Sequence, residues 1–135
     1  MVEKAFAKLN QNYDRIIGGW GDEAMRALTG LPTQSLHYSM KPEAKALMDR
    51  NFGIINEWAK KQFPMTSACF HSHYGLVSGH AYALLGVAEL KDAAGNVVHR
   101  IVRMRNPWGS EKYHGPFSDH SDLWTKEWAD QVGLK

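Results

Sequence analysis

Residues 80–105 read HAYALLGVAELKDAAGNVVHRIVRMR, and the parsing of this stretch decides the fold. Two runs rich in apolar and branched residues, AYALLGVAEL and VVHRIVRMR, flank KDAAGN, a run of turn-forming residues. That pattern predicts a β-hairpin. In the first run Ala81, Ala83, Leu85 and Val87 alternate with Tyr82, Leu84 and Ala88. Both faces are therefore apolar, and the strand is predicted to be central in its sheet. A turn near residues 92–96 pairs positions whose numbers sum to about 186 or 188, and His80 and Asn106 satisfy that sum. The expected pairing sets the histidine at the strand's rim beside the asparagine that ends its partner.

Working outward, VEKAFAKLNQNYDRII places Val2, Ala5, Phe6, Leu9, Tyr13 and Ile16 at three- and four-residue spacing. This predicts an amphipathic helix over residues 2–16, stopped by Gly18 and Gly19. A second helix is predicted in GDEAMRALTG, with Asp22 as N-cap and Gly30 just past the end. KPEAKALMDRNFGIINEWAKKQFP has Pro42 in a first turn and Ala44, Leu47, Met48, Phe52, Ile55, Trp58 and Ala59 on one face. Gly53 is expected to split it into two helices. The final GPFSDHSDLWTKEWADQVGLK reads as loop and short helix. Helices followed by an antiparallel hairpin make the class α+β, with N-terminal helices packed on an antiparallel sheet. No internal repeat, low-complexity tract or linker interrupts the chain, so residues 1–135 are expected to form a single domain.

Composition excludes several classes of partner. Sixteen Lys and Arg are scattered among 14 Asp and Glu, for a formal net charge of +2, so no basic stripe marks a nucleic-acid surface. The longest apolar run, AYALLGVA, falls far below the roughly 18 residues of a membrane span. The single cysteine, Cys69, cannot close an internal disulfide, and no signal peptide is visible. The expected compartment is therefore reducing and cytoplasmic.

The chemistry gathers at His80 and Asn106. Gly79 ahead of the histidine removes a side chain where another backbone or a substrate would come close. Pro107 forces an extended backbone at Asn106 and cannot donate to a sheet. An Asn amide oxygen that accepts from one imidazole N–H fixes the tautomer and leaves the other nitrogen as a base, the part played by the third member of a nucleophile-base-orienter set. Trp108 would cover the pair and exclude water. The plainer alternatives are a histidine that ends a strand on a carbonyl, and an Asn-Pro turn capped by a core tryptophan. Elsewhere, His71 and His73 stand two apart on an expected strand, with Cys69 on the same parity, a partial zinc set whose alternative is a surface histidine pair. Arg100, Arg103 and Arg105 suit an acidic partner or a solvated strand edge.

LVSGHAYALLGV followed by VRMRNPWG and HGPFSD resembles the His- and Asn-bearing lobe of the calpain catalytic core, a branch of the papain-like cysteine proteases. The likeness runs back through VEKAFAKLNQNYDRIIGGWGDEAMRALTG, so it covers about Val2 to Trp124. It implies a papain-like second lobe that acts on protein substrates, with His80 as general base and acid, Asn106 as its orienter and Trp108 as the shield over their bond. In the family the nucleophilic cysteine lies in a separate upstream lobe, on a segment missing here. Cys69 matches a structural residue of the sheet, in surroundings expected to be core. The chain is therefore expected to be a fragment of a longer polypeptide, inactive alone, whose partner is the upstream cysteine-bearing lobe. The alternative is a catalytically dead calpain-like scaffold or interaction domain. The family also binds Ca2+ in this lobe; Asp119 matches one ligand, Lys112 stands where a glutamate ligand belongs, and Glu111 and Asp122 compensate only after a loop shift, the alternative being a solvated acidic loop.

Overall fold

The computed structural model describes residues 1–38 and 41–134. Backbone contacts divide them into two compact units, one of residues 1–36 and one beginning at His37.

The first unit carries two helices. Helix α1 spans Val2–Leu9, with Ala7 buried. It stops well short of the expected Ile16, because Asn10 turns back on it: the Asn10 backbone N–H and side-chain Nδ2 both donate to the Phe6 carbonyl, at 3.0 and 2.9 Å. Gln11 then takes a left-handed φ of 81°. Residues Asp14–Ile16 follow as a separate 3-10 turn, with the Asn12 Oδ1 accepting from Arg15 N. Helix α2 spans Gly21–Thr29 and ends as expected, on Gly30 at φ 69° with its N–H on the Arg26 carbonyl. Asp22 is not its cap; the extended residue ahead of the helix is Trp20, and Asp22 and Glu23 lie in the first turn, where a carboxylate meets the positive end of the helix dipole.

In the second unit a 3-10 turn at Pro42–Ala44 leads into α3, Lys45–Lys60. The helix runs unbroken through Gly53, since its packing on β2 outweighs the modest helix preference lost there. Ile55 and Asn51 are its buried residues, whereas Leu47, expected on the same face, is exposed. The Asn51 Nδ2 donates to the His37 carbonyl at 2.9 Å. Helix α3 packs on the central strand of a three-stranded antiparallel sheet made of β1 (Met65–Cys69), β2 (His80–Lys91) and β3 (Val97–Arg105), in the order β1-β2-β3. The hairpin and its central strand are thus as expected; β1 was not foreseen as a strand. Arg100 serves the fold itself: it pairs with Glu89 at 3.1 Å and with Asp49 of α3, and lies 5.1 Å above the Phe52 ring.

Two bulges shape the hairpin. Near its turn Leu90 pairs with His99 but Lys91 with Val97, so Val98 is the extra residue on β3. Farther along, Gly86 pairs with Arg103 but Leu84 with Met104, so Leu85 is the extra residue on β2. One insertion on each strand cancels the other. At the turn, Asp92 takes the place of a backbone acceptor: its Oδ1 accepts from Ala94 N at 2.9 Å and Asn96 N at 2.8 Å, and its Oδ2 from Asn96 Nδ2 at 3.2 Å. Helix α4, Lys126–Val132, begins at an N-cap Thr125 whose Oγ1 accepts from Trp128 N. It docks on Lys91: Trp128 Nε1 and Gln131 Nε2 both donate to the Lys91 carbonyl at 3.0 Å, and Lys91 N donates to Gln131 Oε1 at 2.9 Å. Tyr82 and Leu90 of β2 and Ile55 of α3 are the buried apolar residues of this unit. Among the described residues no helix is long and apolar enough to cross a membrane.

Two outcomes follow from these elements. A Cβ added at Gly53 would meet nothing within 4 Å, so Gly53→Ala is expected to raise unfolding stability by about 0.5–1 kcal/mol through the unfolded chain's lost freedom, read as a higher urea midpoint. Asp92 is held below the ordinary carboxylate range, first by the Asn96 backbone N–H and then by its side-chain amide. A depressed carboxyl stabilises fully above its unfolded value and loses that contribution as pH falls through its folded value. Asp92→Asn, which keeps a neutral acceptor, is expected to be less stable near neutral pH, with the gap to the parent closing on acidification. Asp49, also depressed, chiefly by the bond from Lys45, titrates in both proteins and drops out of the difference.

Candidate active site

His80 opens β2 at the end of a tight turn. Gly79 sits at φ 69°, its N–H on the Cys69 carbonyl at 2.7 Å, and His80 N donates to the Val77 carbonyl at 3.3 Å. A Cβ on Gly79 would meet nothing within 4 Å. Glycine is therefore required by the left-handed backbone and not by a close approach, which corrects the reading from sequence.

Asn106 follows β3, and the four residues Asn106 to Gly109 spell out their own turn. Pro107 supplies the fixed φ of the second position, Gly109 N donates to the Asn106 carbonyl at 3.2 Å, and Gly109 has φ 72°. The side chain of Asn106 folds over the proline, its Oδ1 accepting from Trp108 N at 3.1 Å, as an Asx turn does. The same Oδ1 lies 2.9 Å from His80 Nε2. Ala83 faces Arg105 in the hairpin, so one further step sets Asn106 across from Tyr82 and one diagonal step from His80, on the same face.

The pair of bonds at Oδ1 settles the protonation pattern. A backbone N–H can only donate, so the atom that Trp108 N reaches is the amide oxygen. The imidazole nitrogen bonded to it must then carry hydrogen. His80 in its neutral form is the Nε2–H tautomer, and the lone pair resides on Nδ1, which makes no hydrogen bond within the described residues. Asn106 is only 8% exposed, and its Nδ2 is buried without a partner among the described residues. Leaving such a donor unpaired costs about 1–3 kcal/mol. The side chain is thus held for its acceptor at the expense of its donor.

Two aromatic rings pack against the imidazole. Trp108 lies 4.4 Å away between centroids, at 38°, and is 57% exposed. It is a rim residue covering the histidine and not the core tryptophan of the plainer reading. Tyr82 stands edge-to-face at 4.8 Å and 81° and is 6% exposed. Sequence reading had treated it as one more apolar residue of the strand; its period-two spacing from His80 was the available signal.

Cys69 ends β1 directly across from His80 in the register, so it is a residue of the sheet as expected, though half-buried and not core. Its Sγ donates to the His71 carbonyl at 2.7 Å, turned to its own loop. No hydrogen bond joins it to the imidazole among the described residues. His71 lies in a bend and His73 in an isolated bridge to Leu76, so neither is on a strand face, contrary to the zinc-like parity. Asp119 lines an open cavity together with Glu111 and Asp122. The Glu111 carboxylate accepts from the backbone N–H groups of Lys112 and Tyr113 on its own loop. No three His, Cys, Asp or Glu side chains converge to hold a metal among the described residues.

A sequence profile described as "Calpain family cysteine protease" matches residues 1–134. The chain belongs to the calpain family of cysteine proteases. Relatives include human Calpain-9, 32% identical over 135 residues and covering 92% of this chain, and Drosophila melanogaster Calpain-A, 32% identical and covering 99%. A calpain-type cysteine protease of Arabidopsis thaliana is 34% identical over 93% of the chain. The chain spans 18%, 17% and 6% of these relatives' respective lengths. It is thus a calpain-family protease domain, in which His80 opens β2 and the Asn106 bonded to it follows β3.

The tautomer assignment has a direct check. Nitrogen-15 shifts of the His80 ring in this calpain chain are expected to show hydrogen fixed on Nε2, and Asn106→Ala to give the mixed-tautomer shifts of an untethered imidazole. An unchanged spectrum in the variant would mean that Oδ1 does not hold the ring.

Proposed function

We propose that this chain is the His- and Asn-bearing part of a calpain-type cysteine endopeptidase, completed by an upstream lobe that contributes the nucleophilic cysteine. The observation that carries the reading is the single Asn106 oxygen that binds Trp108 N and His80 Nε2 together, leaving Nδ1 as the available base. In the proposed reaction Nδ1 takes the proton of the incoming thiol, and the thiolate attacks the peptide carbonyl. The resulting imidazolium gives that proton to the departing amine, leaving an acyl-thioester. Water, deprotonated by the same Nδ1, then attacks the thioester and frees the acid, and the proton returns to the thiolate. Asn106 accepts from Nε2–H throughout, and the Trp108 ring beside the imidazolium supplies a cation–π contact and excludes water. The part alone is expected to be inactive, because the Cys69 thiol is bonded to the His71 carbonyl and offers no nucleophile to Nδ1. A reducing, cytoplasmic compartment suits such a thiol chemistry.

The test is peptide hydrolysis by the longer polypeptide containing these residues, under reductant, with and without calcium. His80→Ala is expected to cut kcat/KM by on the order of 10^4 or more, the scale of losing a triad base. The isolated chain is expected to show no hydrolysis, and a rate with calcium equal to the rate without would count against the Ca2+ that the family likeness implies. A well-folded longer polypeptide without activity would assign the chain to a scaffold.

A further inference from the structure

Among the described residues Tyr82 is the buried ring packed against the His80 imidazole. It stands two residues beyond His80, so strand alternation puts both side chains on one face. Its edge-to-face arrangement, at 4.8 Å and 81°, is the favourable orientation of two ring quadrupoles. Its hydroxyl accepts from Val77 N at 3.0 Å, and the Val77 carbonyl accepts from His80 N at 3.3 Å. One side chain therefore contacts the ring of His80 and anchors the turn that sets the backbone of His80. The bond to Asn106 holds only Nε2, and Trp108, 57% exposed, is a solvent-facing wall. Tyr82, at 6%, is the enclosed one.

We infer that Tyr82 is a positioning residue for His80, its ring restricting rotation of the imidazole so that Nδ1 keeps one direction, while its hydroxyl separately anchors the turn from Val77 to Gly79. This rests on the proposed role of His80 as the base. The two parts of the side chain are separable: Tyr82→Phe keeps the ring and loses the anchor, and Tyr82→Leu loses both.

The experiment combines ring spectroscopy on this chain with kinetics on the longer polypeptide. Tyr82→Leu is expected to broaden or average the His80 ring signals while Leu90 methyl shifts report an intact core. Tyr82→Phe is expected to keep the His80 ring signals and to speed hydrogen exchange at the Val77 amide by about tenfold or more, as loss of its acceptor frees that N–H. In the kinetics, kcat is expected to fall about 10- to 100-fold in Tyr82→Leu with KM within about twofold, the signature of misplacement. Tyr82→Phe is expected to stay within about threefold of the parent rate, as the ring is retained. A folded Tyr82→Leu with unchanged ring signals overturns the inference, as does an equal loss of kcat in both variants. Should Tyr82→Leu fail to fold, Tyr82→Phe decides, since unaltered exchange at Val77 overturns the anchoring role. An inactive parent polypeptide would defeat the protease reading alone, and the ring signals would still decide the role of Tyr82.

Discussion

The hydrogen bond between His80 Nε2 and Asn106 Oδ1 is the constraint around which the rest of the second unit is arranged. It joins residues 26 positions apart in sequence, so it exists only if the hairpin between them holds its register. That register is not uniform. The extra residue Val98 near the turn shifts the pairing by one, and the extra residue Leu85 farther along shifts it back. A one-residue slip turns every side chain of a strand to the other face. With the Val98 bulge alone Asn106 would lie across from Ala83, and with the Leu85 bulge alone across from Ala81, facing away from His80 in both cases. The two bulges are therefore coupled through the site, though each is local and neither touches it.

The turn end and the site end of the hairpin are secured by different physics. At the turn, the Asp92 carboxylate collects three donors and the side chains of α4 close on both polar groups of Lys91. These bonds are largely exposed, so each contributes modestly and their number matters more than their individual strength. At the site, few bonds are made but they are enclosed: a nearly buried asparagine oxygen with two donors, and a buried tyrosine against the imidazole. Low local polarity strengthens each of these and raises the cost of any group left over, which is why the unpaired Asn106 Nδ2 is informative. A side chain kept in spite of an idle donor is kept for its acceptor.

The loop between β1 and β2 shows how close packing removes choice. Gly75 has φ 84°, and a Cβ there would stand 1.8 Å from the Lys112 carbonyl. Beside it, His114 N donates to the Tyr74 carbonyl at 2.9 Å. The segment before His80 is thus fastened to the segment after Trp108, so the two halves of the His-Asn pair are held by their flanking loops as well as by the sheet.

Much of this is legible in the sequence. Apolar residues on both faces marked β2 as central, and it is hydrogen-bonded on both edges, although Ala81, Ala83 and Leu85 on one face are exposed. KDAAGN marked the turn, and the sum rule brought His80 near Asn106, since hairpin pairing is set by where the turn falls. Gly30 marked a helix end because only glycine takes that backbone cheaply. Other features lay outside what local pattern encodes. The end of α1 at Leu9 depends on a side-chain bond from Asn10 that competes with the next helical turn, and hydrophobic spacing is blind to it. Continuity of α3 through Gly53 was decided by its packing on β2, which outweighs propensity. β1 has no sharp alternation and became a strand by pairing with β2. The sequence by itself determined the class of fold, the hairpin and the residue types at the site, because these follow from local periodicity and turn chemistry. Only the tertiary structure decided which amide atom of Asn106 meets the imidazole and which nitrogen of His80 is left as a base, because those depend on residues brought together by two compensating bulges, and that Tyr82 is enclosed against the ring, because that depends on packing.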